Sequence, residues 1–297
     1  MSNDYTFRYV NGVVRGSPGY LTPCEIAVRR NEPILTDPEQ VRVAVERFYL
    51  HGVPLPLFDG SKVWKIGLRD HSASSGSPIT SVQVRWSEDY FFDYAEMVPD
   101  LNLALSDVGT TVGLNPDDIP TFSFDRTSGI FSITTSSSFR GQVDLFFGED
   151  MTWGLNTFQH EGVDNPGWYK IILNDDTATQ SNATLELLSP VDVIALRTSG
   201  LPVEYELMPP PASVQNDITD DIGSFLVDFK YTQSNNQAIQ PILYSVSGSD
   251  HRYHNLLRTG KIQDFTVKFF WVDYAGTFHP INLPAPAIAE LKLMFVK

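Results

Sequence analysis

Apolar side chains recur along this chain mostly at every second position, the spacing of a strand that buries one face, and in one stretch at the three- and four-residue steps of a helix. The strand pattern is clearest towards the end. From Asp264 to Val272 almost every side chain is aromatic or β-branched, the types that fit a pleated, half-buried surface. Asp273-Tyr274-Ala275-Gly276 supplies an acid-to-glycine turn and Thr277 to Leu283 resumes an extended pattern. Pro284 and Pro286 then interrupt it, because neither can donate a ladder hydrogen bond. Ala289 to Lys297 sets Leu291, Leu293 and Phe295 against Lys292, Met294 and Val296, so a last strand pinned inside a sheet is expected.

Upstream, Val41, Val43 and Val45 alternate with Arg42, Ala44 and Glu46. Three β-branched residues at a spacing of two predict a strand over Gln40 to Leu50, although Asp37-Pro38-Glu39 could open a helix. Further strands are expected at Val63 to Leu68 and Ser81 to Trp86. Between Ser87 and Leu105 the period changes: Phe91, Tyr94, Ala95, Val98, Leu101 and Leu105 share one helical face, with Ser87 as the expected cap and Pro99 as a kink. A hairpin follows, Thr121 to Phe124 and Ile130 to Thr134 around Asp125-Arg126-Thr127-Ser128-Gly129, then a strand at Val143 to Phe147 and a short helical turn within Gly148 to Phe158. Strands are expected again at Trp168 to Leu173, Ala183 to Leu188, Val191 to Arg197, Val203 to Leu207, Ile222 to Thr232 and Pro241 to Ser247.

Short strands with turn signals every ten or so residues indicate a mainly β, antiparallel sandwich of the jelly-roll kind, with a helix-containing insertion or subdomain. Parallel βαβ units fail for lack of helices. Residues 1–36 mix glycine, proline and arginine without a sustained period and read as an extended N-terminal arm. Residues 37–297 form the jelly-roll body, within which about 70–165 is the expected subdomain carrying the main helix.

Charge narrows the function. The 297-residue chain carries a formal net charge of −15, and Arg85 to Asp125 holds nine acids against one base. Such a surface repels phosphate, which disfavours broad or sequence-specific nucleic-acid binding and fits a solvated outer face. The arm, at net +1, is the exception. A lone cysteine, Cys24, excludes an internal disulfide and suits a reducing compartment. No basic-then-apolar leader and no apolar run of about 20 residues are present, so a soluble, cytosolic product without a membrane span is expected, and the Asn182-Ala183-Thr184 sequon reads as chance.

No constellation demands catalysis. His251 and His254 flank Arg252, which would repel a dication, and no third ligand is evident, so a solvated loop is the plainer reading than a metal site. The pairs Asp117-Asp118, Asp175-Asp176 and Asp220-Asp221 lack the alternating ligands of a calcium loop and read as surface turns. Val246-Ser247-Gly248-Ser249 departs from a nucleophile elbow, and Cys24 has no neighbouring histidine. Catalytic, cofactor-binding and metal-binding residues are therefore all expected to be none. The 36 aromatic residues could make a sugar platform from Trp86, Trp153, Trp168 and Trp271, but most of these sit in expected strands, where packing accounts for them.

Three blocks bear on family. Phe-Phe-Trp-Val-Asp-Tyr-Ala-Gly-Thr-Phe-His-Pro-Ile-Asn-Leu-Pro (269–284), closed by Glu-Leu-Lys-Leu-Met-Phe-Val-Lys, resembles the C-terminal pattern of the minor capsid (penton) proteins of virophages and polinton-like double-stranded DNA viruses, the Mavirus-like group. The hairpin at 121–133 with the aromatic strand and turn at 143–158 resembles a recurring block of the same proteins, and 45–58 resembles their early strand. The resemblance implies a structural, non-enzymatic jelly-roll subunit assembled in the host cytoplasm. Its implied partners are itself, as a homopentamer at the fivefold vertices of an icosahedral virion, and the major capsid protein. A carbohydrate-binding β-sandwich is the competing expectation, and a sandwich-type glycosidase a third.

Overall fold

The structure, a computed structural model, describes residues 7–36, 38, 40–74, 76–183, 188–204, 224–231, 241–246, 251–256 and 260–297. The backbone gathers into two compact units. Met1–Leu55, Val191–Thr232 and Ile239–Lys297 make the first, and Pro56–Pro190 with Gln233–Ala238 make the second.

Eight strands frame the first unit: β1 (Phe7–Arg15), β2 (Glu25–Arg29), β3 (Arg42–His51), β4 (Val191–Ser199), β5 (Ser224–Lys230), β6 (Ile242–Ser245), β7 (Asp264–Asp273) and β8 (Ile288–Val296). They form two antiparallel sheets in the orders β1-β8-β3-β6 and β2-β7-β4-β5, an arrangement consistent with a single jelly roll. The sheets meet around Phe48, fully buried, whose ring lies 4.9 Å from Phe229, 5.1 Å from Tyr244 and 5.7 Å from Phe269. On β3 the inward parity switches from Val43 and Val45 to Phe48 and Leu50. The register explains it: Lys292 faces Arg47 but Leu293 faces Val45, so a bulge at Glu46 inserts one residue and shifts the alternation by one. On β7 the even positions Phe270 and Val272 are buried as well, because Phe278 and Val193 cover the outer side of that sheet.

The described part of the expected arm is not a free extension. β1 pairs with β8 at nine positions, from Phe7 opposite Val296 to Arg15 opposite Ile288, and β2 pairs with β7 from Glu25 to Arg29. Val10 is buried, and a Cβ on Gly12 would stand 2.1 Å from Ile26 Cγ2. Glycine at the closest approach of two strands erased the period that would have marked β1.

The second unit holds a sheet in the order His160–Gly162, Trp168–Ile171, Val143–Gly148, Lys65–Asp70, Thr80–Gln83, and a smaller one in the order Thr177–Thr179, Ile130–Thr134, Thr121–Asp125. Trp64, Phe91, Leu105, Phe131 and Phe147 are among its fully enclosed core side chains. The longest of its described helices, α1, spans Val98–Thr111 rather than starting near Glu88. Pro99 stands in the first turn, where its missing N–H costs nothing, so it starts the helix instead of kinking it. Asp93 and Glu96 form a capping box for the 3₁₀ turn Tyr94–Met97 that leads in. Ser87 is not a cap; its N–H and hydroxyl both donate to Asp100 Oδ2 at 2.9 Å. The 121–134 hairpin closes through Gly129 at φ 70°, whose N–H donates to Asp125 O at 2.7 Å. Among the described residues no helix is long and apolar enough to cross a membrane. Most of the expected strand at Ala183 to Leu188 and the end of that at Val203 to Leu207 lie outside the described residues.

Candidate assembly surfaces

The two histidines read as a solvated loop are enclosed. His251 Nε2 lies 2.8 Å from Glu46 Oε2, which the bulge turns towards it, while His254 is buried and its Nε2 meets the carbonyl of Leu226. The two rings engage separate partners, and among the described residues no group of three or more metal-ligating side chains converges. Asp117 and Asp118 belong to a 3₁₀ turn at Pro116–Asp118. Hydrogen bonds from Ser136 Oγ (2.7 Å) and Asn115 Nδ2 (3.2 Å) hold the Asp118 carboxyl below the ordinary range. Asp175, at φ 56°, shapes the turn from Asn174 to Thr177 together with Asp176, whose carbonyl accepts from Thr135 N–H at 2.8 Å. Asp220, Asp221, Ser247 and Ser249 lie outside the described residues. Cys24 is 3% exposed, and burial pushes its thiol pKa well up, so it packs rather than reacts.

The tryptophans do not assemble into a platform. Trp86 sits in an aromatic cluster 4.8 Å from Phe58 and 5.6 Å from Phe91, with its indole N–H donating to Lys62 O at 2.8 Å. Trp168 closes over Gly67, where an added Cβ would come within 3.0 Å of the indole. Trp271, in the other unit, stacks on His279 at 3.8 Å, and His279 Nε2 reaches Asp273 Oδ2 at 3.0 Å. Trp153 alone of the four is exposed, at 67%.

Three features of the first unit suit contact with other proteins. A row of side chains crosses its first sheet on the face turned away from the core: Val13 opposite Glu290, Glu290 opposite Tyr49, and Tyr49 opposite Leu243. Val13 and Leu243 are 55% and 66% exposed, and Tyr9 stands two steps along β1 from Asn11 with Lys292 Nζ 4.1 Å above its ring. Glu46 ties this face together by meeting both His251 and Lys292, the latter at 3.8 Å. On the second sheet, Arg197 lies over the Phe278 ring at 4.4 Å opposite Lys268, and its Nε is buried without a hydrogen-bond partner among the described residues. Burial lowers its pKa. At the turn after β7, Tyr274 is 71% exposed. Sequence reading missed this face because Val13, Tyr49 and Leu243 lie far apart in the chain; the parity switch along β3 was the one local sign of the bulge that orients Glu46.

Comparison with known proteins adds a family. The model of the Sputnik minor capsid protein V18/19 family matches residues 122–297. A solved selenomethionine-labelled mavirus penton protein is similar over 98% of this chain and 99% of its own, with a TM-score of 0.78 and 30% identity. A chain of the Sputnik virophage structure solved by cryo-EM shares the fold over 98% of both chains, with a TM-score of 0.68 and 17% identity. No curated protein sequence matches.

Proposed function

The chain belongs to the virophage minor capsid family of Sputnik V18/19, and from that premise we propose that it closes into rings of five at the fivefold vertices of an icosahedral virion, flanked by the major capsid protein. The observation that carries this reading is the likeness to a penton protein over 98% of the chain. A ring needs a heterologous contact, in which one face of a subunit meets a different face of the next. The row Val13–Tyr49–Leu243 is a fitting half of such a contact, since it mixes exposed apolar side chains with the Glu290 carboxylate, the composition of a protein interface. Shape and burial do the work, and no catalytic step enters. The acidic stretch Arg85 to Asp125 faces solvent in this reading, and assembly takes place in the host cytoplasm.

Light scattering on the purified chain, alone and with the major capsid protein, tests it. The expected mass is about five times the 33.3 kDa chain, with density at the vertices of co-assembled particles, and Leu243→Asp shifts the mass towards the monomer. A parent chain that stays monomeric and is excluded from particles overturns it.

A further inference from the structure

The first unit has two unlike ends. At one, β3 finishes at His51 opposite Ile288 and β4 begins at Val191 opposite Asp273, which is where the chain leaves for the second unit and returns. At the other, β1 and β3 begin opposite Val296 and β2 finishes at Arg29 opposite Asp264. That second end carries a cleft of about 700 Å³ lined by Arg8, Arg29 and Arg30 among others. Arg8 Nη1 donates to Ile34 O at 2.7 Å, which fixes its guanidinium while leaving other N–H groups available. Arg29 and Arg30 are exposed and have no ion pair among the described residues. Lys261 adds a further positive charge beside Ile262, whose carbonyl accepts from Ile34 N–H at 2.8 Å. Glu32 in the cleft and Asp264 across from Arg29 offset only part of this.

Three guanidinium groups lining one cleft, with Glu32 and Asp264 as only partial counter-charge, leave a net positive site that an anion stabilises on entering. Their planar forks match phosphate oxygens. The acid excess of the chain does not cancel the attraction, because charges further away than about 8–10 Å are screened at physiological salt. We infer that this cleft grips the phosphate backbone of nucleic acid without reading its sequence. The inference deepens the capsid reading, in which packaged nucleic acid is the polyanion a shell subunit meets from inside. Its test needs no ring, however, since binding is scored per subunit.

Fluorescence anisotropy of the full chain with two short DNA duplexes of unrelated sequence, titrated between about 50 and 200 mM salt, reads it out. Three phosphate contacts give a log–log salt slope of about −2.7, a weakening of about 40-fold over that range, equal for both duplexes. Arg29→Ala with Arg30→Ala leaves a slope of about −0.9, or about 3.5-fold. The Lys versions of the same two positions retain the slope, and Arg47→Ala, mid-strand on β3, leaves it unchanged. Absence of binding at the lowest salt, the same slope in the Ala variant while circular dichroism shows it folded, or protection of the cleft by inorganic phosphate with no duplex bound overturns the inference.

Discussion

Gly16 tests whether the N-terminal strands are built into the sandwich. Its N–H donates to Ala287 O at 2.9 Å, and a Cβ there would lie 2.1 Å from Pro284 O, 2.5 Å from Pro284 C and 2.8 Å from Leu283 O. All three obstacles are backbone, so no rotamer change relieves them. A carbon and a carbonyl oxygen normally sit about 3.3–3.6 Å apart, so the two segments must separate by about 1 Å. Pro284 O also accepts from Ala287 N–H at 2.7 Å, and that bond is strained by the same movement. Opposing this, alanine stiffens the unfolded chain by about 0.4–1 kcal/mol. Overpacking costs about 1–3 kcal/mol and a weakened hydrogen bond about 0.5–1.5, so Gly16→Ala loses about 0.5–4 kcal/mol net. Urea unfolding reads this as a midpoint lower by roughly 0.2–2 M for an m of about 2–3 kcal/mol/M. Gly141, in the helix Ser137–Gln142 with nothing near its absent Cβ, is the control of opposite sign: Gly141→Ala gains about 0.5–1 kcal/mol. A Gly16→Ala chain as stable as its parent would refute the seating of β1 against the Leu283–Pro284 segment.

Three further outcomes are expected. Phe48→Ala removes the ring on which both sheets close and costs about 3–5 kcal/mol in urea unfolding, whereas a loss under about 1 kcal/mol would place Phe48 outside the core. Burial works to raise the Asp273 pKa, but hydrogen bonds from His279 and from the N–H groups of Thr277 and Ala275 outweigh it and hold the carboxyl below its ordinary 3.8. The folded pKa is therefore depressed, so the stability it brings is present above about 3.8 and lost as pH falls through the folded value. Thermal melts of Asp273→Asn and parent should differ most near neutrality and converge in acid; a gap that widens in acid contradicts the sign. Cys24 should resist a thiol reagent in the native chain and react fully in denaturant, and rapid native labelling would contradict its burial.

Much of the strand inventory was legible because it is written in neighbours two apart. Leu291, Leu293 and Phe295 do face inward on β8, and the Thr121–Thr134 hairpin forms around the glycine that its turn requires. The helix was placed too early because Ser87 and Asp93 are both chemically able to cap. Ser87 gives both its donors to Asp100, Asp93 caps the 3₁₀ turn Tyr94–Met97, and α1 follows behind Met97 with no side-chain cap of its own.

Local alternation thus settled many of the strands and the mainly β class, since a residue's own neighbours decide whether it can pleat with one face dry. It could not settle partners. That β1 seats beside β8 at the opposite end of the chain, that the second unit runs from Pro56 to Pro190, that Glu46 meets His251 205 residues away, and that Arg8 shares a cleft with Arg29 and Arg30 all depend on long-range closure. Such closure is selected by the summed burial of two whole sheets, a quantity that no short window of sequence contains.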